Sequence, residues 1–344
     1  MSSGHSVGRA RAWRLGFWGS VALVVLAVLS LAPFMTSSTE LVRMRNALLV
    51  DERFDAADDW TPPAFPPEFK QERESPYPEF SLAVERLGLA SMANDWERSL
   101  AISKHLLGSS PVLTGEDIKS DLRTTYKQIV ERGEGYCGDM VDVFIGLASA
   151  AGMTTRPWAF SFDGFGGHGH IWLEVWNRDL SQWQLVDIYN NFYFSLSDGK
   201  PLSAFAMRRA LNEHPDGLQL QLLYGGARPG YEFPEKAWDY YQRGLPQWYG
   251  WQGANVFSYD KSIWVHSVLP GVVSRSIEQL EGILAGVSPK LVFLVSDENR
   301  EARQAMLRLR SQLHFVAVVI ACGLLGAAIS LLQVHLAKRE ARRS

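Results

Sequence analysis

The sequence predicts an α+β domain carried between two membrane-spanning helices, and three observations lead there. Uncharged apolar runs stand near both ends of the 344-residue chain, at 15–35 and 315–332. Between them, segments with helical spacing of apolar residues come first and strand-like segments follow, the order of an α+β rather than an alternating α/β fold. Charge is segregated as well. Residues 1–35 hold three arginines and no acid, and 313–344 hold four basic residues and one acid. The overall charge of −3 therefore conceals −9 on residues 36–312.

The averages exclude several classes. With 21% charged and 12% aromatic residues the chain is no disordered protein, and two cysteines cannot build a disulfide framework. An acidic central domain has no basic surface for nucleic acid, so none is expected as a partner.

The run at 15–35 is long enough to cross a bilayer as a helix, and Arg9, Arg11 and Arg14 precede it. A cleaved signal peptide is the rival reading. The length of the run, and Pro33 directly after the small pair Ser30 and Ala32, favour an uncleaved anchor. The second span, 313–334, follows a segment rich in arginine, and one long helix over 296–336 would join them. Because Arg14 abuts the first span while the next basic residue is Arg43, both ends are expected in the cytoplasm. The organisation expected is a cytoplasmic 1–14, a span at 15–35, a proline-rich connector at 36–79 and a catalytic core at 80–215. An aromatic-rich accessory segment at 216–295, a membrane-proximal helix at 296–312, the second span at 313–334 and a basic tail at 335–344 complete it. The protein is placed in the cytoplasmic (inner) membrane with its central domain outside the cytoplasm and lipid around its two spans.

Six prolines in 58–78 forbid long helices there and make a stiff connector. Leu100, Ile102, Leu106 and Leu107 fit one helix face, and Leu122, Tyr126 and Ile129 another. The stretch 137–151 reads as a buried helix closed by Gly152. Strands are expected at 155–162, 170–176 and 183–188, the last two joined as a hairpin by the polar stretch 177–182. Glycines 164, 166, 167 and 169 make a flexible loop before the hairpin.

Cys137 is the one cysteine outside the spans, since Cys322 lies within the second. It stands at the start of a predicted helix, where unpaired N–H groups and the helix dipole favour the nucleophilic thiolate. A small buried hydrophobe is the plain alternative. His170 opens the strand HIWLEVW, sharing a face with Trp172 and Glu174, and the hairpin brings Asp187 beside it as an orienting carboxylate. Together these make a nucleophile, a base and an orienter. Zinc is the competing use of Cys137, His168, His170 and Asp187, but paired-cysteine and HExxH spacings are lacking, so neither metal nor cofactor is expected. His168 is read as a loop residue, Arg156 as a structural ion-pair partner, and Glu134 and Asp139 as parts of a solvated turn. The backbone N–H of Cys137 is the expected first oxyanion donor.

The segments GEGYCGDMVDVFIGLASAAGMTTRPW, GHGHIWLEVW and WQLVDIYNNF resemble the motifs of the transglutaminase-like superfamily, over about 95–205. The resemblance implies a papain-like core in which a nucleophile helix packs on an antiparallel sheet, with Cys137 as nucleophile, His170 as base and Asp187 as third triad member. It implies a thiol amidase, peptidase or acyltransferase at the cell envelope, acting on a protein, peptide or amine-bearing substrate. A non-catalytic scaffold or assembly factor in a membrane-associated complex is the alternative. The eleven aromatics from Tyr231 to Trp264 suit a substrate platform, a membrane-interface belt or the core of an added subdomain.

Overall fold

The computed structural model describes residues 3–52, 59–62, 64–108, 118, 120–225, 234–264 and 275–343. Two compact units emerge, one made of residues 1–48 and 305–344, the other of 49–304. Tyr231 and Phe233 of the aromatic segment lie outside the described residues.

In the first unit, helix α1 (Ser3–Leu29) and the C-terminal helix (Arg300–Arg343) are both long and apolar enough to cross a membrane. The α-helix stops at Leu29 rather than continuing to residue 35, and Ala32–Met35, with Pro33 at its start, is a 3-10 turn. Glycine lets the two helices approach closely. A Cβ at Gly323 would stand 2.5 Å from the Val24 side chain and 3.3 Å from the Ser20 carbonyl, the small-residue contact typical of apolar helix pairs. Large side chains such as Leu15, Trp18 and Leu26 on α1 and Phe315 and Leu325 on the C-terminal helix stay exposed. The segments expected as membrane-proximal helix, span and tail form one uninterrupted helix that starts at Arg300, so 296–299 stand ahead of it. The connector also differs from expectation, because Ser38–Leu49 forms helix α2.

The second unit is built on a five-stranded antiparallel sheet in the order β4-β3-β2-β7-β9. Its strands are β2 (Thr155–Ser161), β3 (Gly169–Asn177), β4 (Gln182–Val186), β7 (Trp248–Trp251) and β9 (Leu291–Phe293). Short ladders join β1 (Lys70–Gln71) to β8 (Gly253–Ala254), and β5 (Phe192–Ser195) to β6 (Gln219–Leu222). One face of the sheet packs with α3 (Pro78–Arg86), α4 (Asp95–Gly108), α5 (Leu122–Arg132) and α6 (Cys137–Ala150). The other carries α7 (Ala204–Glu213) and α8 (Pro234–Gly244) around Trp158, Phe160, Trp172 and Trp248.

Both faces of β3 are covered, so the alternation in HIWLEVW separates two buried layers rather than core from water. On one side Leu173 and Val175 meet α6 and its neighbours. On the other, Trp172 meets α8. Arg156 and Glu174 face each other across the β2–β3 ladder and form a buried ion pair. Glu174 also accepts from Trp158 Nε1 at 2.6 Å and from the N–H of Ala204 at the start of α7 at 2.5 Å.

Two parts of the expected organisation change. The segment 216–295 is no accessory: β7 and β9 extend the central sheet, and Tyr241 and Trp248 are fully buried in its core. Nor do the described connector residues merely span a gap. Trp60 packs on Phe65, Phe69 and Trp183, and its carbonyl accepts from Trp183 Nε1 at 2.7 Å. The reason is the same in both cases: strand edges and aromatic faces left uncovered by 80–215 are filled from elsewhere in the chain.

Candidate active site

Helix α6 begins at Cys137 because the chain in front of it is held by Asp139. The Asp139 carboxylate turns back to accept the N–H of Tyr136 at 2.8 Å and that of Ile118 at 3.5 Å. Asp139 is therefore a buried capping residue at the third helical position and not part of a solvated turn. Glu134 is partly exposed and lies 3.7 Å from Arg132. Gly152, with φ +69, follows the helix and supplies the left-handed turn expected of it. The N–H groups of Cys137 and Gly138, at the first two positions of α6, point out of the helix's N-terminus, where an anion is favoured.

His170 enters at the beginning of β3, where the chain must pass close to β2. A Cβ on Gly169 would collide with the Phe160 carbonyl, so this glycine is a packing requirement rather than part of a flexible loop. Phe160 pairs with His170 across the ladder, and the Trp172 ring lies nearly parallel to the imidazole, 6.1 Å away.

Asp187 stands one residue beyond β4, in a bridge to Phe192. Its N–H and carbonyl are both bonded to Phe192, which closes residues 188–191 into a tight loop with Asn191 at φ +64. That loop presents Asn190 to the same carboxylate: Asn190 N–H lies 3.2 Å from Asp187 Oδ1, and Nδ2 donates to Oδ2 at 2.7 Å.

His170 Nε2 lies 2.8 Å from Asp187 Oδ2, with both side chains buried. Burial opposes a charge on the ring. The charge and hydrogen bond of Asp187, and then Cys137 through the same two effects, outweigh it and push the imidazole from 6.5 up to about 10. With Nε2 facing Asp187, Nδ1 is the nitrogen left for the thiol. Cys137 itself is partly exposed, whereas His170 and Asp187 are buried.

The structure thus brings Cys137, His170 and Asp187 together. His168 is mostly exposed, 3.6 Å from Asp163, and takes no part. Arg156 is held by Glu174 and by Asp59 at 2.6 Å, a structural partner as its sequence position suggests. Among the described residues, no three His, Cys, Asp or Glu side chains gather as a metal site would require. Two neighbours escaped the sequence reading. Asn190 stands in the turn DIYNN, where an Asx-type spacing from Asp187 was a readable signal. Tyr241, whose hydroxyl lies 2.9 Å from Asp187 Oδ2, is 54 residues away on α8 and left no local signal.

A cysteine at a helix start, a buried histidine on an antiparallel strand and a carboxylate behind it make an arrangement that thiol acyl transfer can use. In the comparison with protein families, residues 90–188 match the model of the transglutaminase-like superfamily, and that span is a transglutaminase-like domain. No curated protein and no solved structure matched the chain.

Proposed function

We propose that this protein is a membrane-anchored cysteine enzyme that transfers acyl groups from amide or peptide bonds through Cys137, His170 and Asp187. The observation that carries the proposal is the buried 2.8 Å His170–Asp187 pair beside Cys137 at the N-terminus of α6, where Asp187 and Cys137 strengthen the ring's hold on a proton. A histidine beside a cysteine, itself oriented by a carboxylate, is the pairing that activates a thiol nucleophile.

The chemistry then runs in two halves. Cys137 Sγ attacks the carbonyl carbon, and the oxyanion lies toward the backbone N–H of Cys137 at the start of α6. The C–N bond breaks as His170 gives its proton to the departing nitrogen, leaving a thioester on Cys137. Water or an amine attacks that thioester and yields its proton to His170. The C–S bond breaks, and the thiolate–imidazolium pair is restored. Hydrolysis and amine transfer share the first half, and the partly exposed Cys137 admits either acceptor. Two helices long and apolar enough to cross a membrane support anchoring. On this proposal the domain lies outside the cytoplasm, with a protein, peptide or amine-bearing envelope molecule as its substrate.

The test is labelling of the detergent-solubilised protein with a peptidyl acyloxymethyl ketone, a probe that needs an activated thiol. Label on Cys137, lost in Cys137→Ala and in folded His170→Ala, is the expected result. Equal labelling of wild type and His170→Ala would leave the scaffold reading in its place.

A further inference from the structure

Tyr241 belongs to a part of the chain outside the matched domain, yet its hydroxyl ends on the carboxylate that orients the candidate base. The residue is fully buried. Its ring is fixed among Phe160, Trp172 and Phe194, with centroids at 5.1, 5.4 and 5.0 Å, and meets the His170 ring edge-on at 6.1 Å. The hydroxyl therefore has little freedom to point elsewhere. Asp187 Oδ2, its acceptor at 2.9 Å, also takes Nδ2 of Asn190 at 2.7 Å and faces Nε2 of His170 at 2.8 Å. One oxygen serves several donors.

From this crowding we infer that Tyr241 is a positioning residue that sets how tightly His170 holds its proton. A carboxylate oxygen that already accepts from a phenol and an amide has its negative charge partly neutralised, and it is a weaker partner for imidazolium than a carboxylate facing the ring alone. In acyl transfer the imidazolium must give up a proton to the leaving nitrogen. A ring held too tightly by Asp187 would be a poor acid, and efficiency peaks when the proton is held near the working pH. Tyr241 moderates Asp187 in this way, and it ties the competence of the triad to the docking of α8. The inference rests on the Cys137–His170–Asp187 reading above. Among the described residues, the titratable groups seen facing the ring besides Tyr241 are Asp187 and Cys137, with Tyr189 at 6.1 Å on a further side.

The test needs no known substrate. The rate of iodoacetamide alkylation of Cys137 in the full-length protein is followed against pH, with peptide-resolved mass spectrometry separating it from Cys322. A thiolate–imidazolium pair gives two steps: one at low pH as the pair forms, and one at high pH as the imidazolium is lost. In Tyr241→Phe, which keeps the packed ring, the upper step is expected to rise by about one pH unit. Replacing Tyr241 by a ring-fluorinated tyrosine, a stronger donor of nearly the same shape, is expected to move it down. A merely structural role would change melting temperature without moving the two variants in opposite directions. An upper step unmoved in both, with the lower step intact, would overturn the role of Tyr241 alone. A wild-type profile with no low-pH step would overturn the triad reading, and Tyr241's role with it.

Discussion

Replacing Glu174 by Gln puts the buried ion pair of the central sheet under the sharpest test. The Glu174 carboxylate is completely buried and holds together Arg156, Trp158 Nε1 and the first N–H of α7. The amide keeps the shape, but it removes the charge and turns one acceptor into a donor aimed at other donors. Breaking a buried pair costs about 3–5 kcal/mol because a charge is left without its partner. Arg156 is not wholly abandoned, since Asp59 at 2.6 Å, the Trp60 carbonyl at 3.2 Å and the Trp183 ring at 4.2 Å remain. The loss should therefore lie near the lower limit, about 3 kcal/mol. For a unit of this size that corresponds to a fall in Tm of roughly 6–12 °C. Intrinsic tryptophan fluorescence on heating reads it directly, since Trp158, Trp172 and Trp183 lie at the pair or in the sheet around it. The double variant Glu174→Leu with Arg156→Met should be less destabilised than the sum of its singles, because neither leaves a charge stranded. A fall of under about 2 °C in Glu174→Gln, or strict additivity of the singles, would refute this reasoning.

Other expectations follow from the same contacts. Gly169→Ala drives a methyl group into the Phe160 carbonyl and should prevent the β2–β3 ladder from closing; limited proteolysis of the expressed protein should show a protease-sensitive domain. Asp139→Ala removes the acceptor for the N–H groups of Tyr136 and Ile118, and denaturant unfolding should show a loss of about 1–2 kcal/mol. Stability should also depend on pH through His170. A ring that binds its proton at about 10 when folded and at 6.5 when unfolded contributes stability that is fully present below pH 6.5 and disappears as pH climbs through 10. Tm should thus decline over that interval, and His170→Gln should flatten the decline; a wild-type Tm constant between those values would contradict it.

What could be read from the sequence followed local pattern. Cys137 at a helix start, the glycine that ends that helix and the strands on either side of the turn at 177–182 were all visible from spacing alone. Proximity of Asp187 to His170 followed from the hairpin, although Asp187 lies just past the strand. Long-range pairing was not visible. Nothing in WYGW or LVF announces that they extend a sheet begun far earlier, at Thr155, because a short apolar run carries no record of its partner. Asp139 misled for a related reason. A carboxylate beside a turn is usually solvated, and only the fold shows that it curls back to cap its own helix. Tyr241 is the extreme case, a buried hydroxyl whose partner is defined wholly by tertiary packing.

The most direct measurement of the proposed chemistry is the acyl-enzyme itself. Full-length protein is mixed with an activated ester such as p-nitrophenyl acetate, quenched in acid within the first turnover, and the peptide carrying Cys137 is weighed. An acetyl increment on Cys137, formed in a burst and lost in folded His170→Ala, is the result predicted for a triad that makes and passes on a thioester. An unmodified Cys137, or acetylation at the same rate without His170, would contradict it.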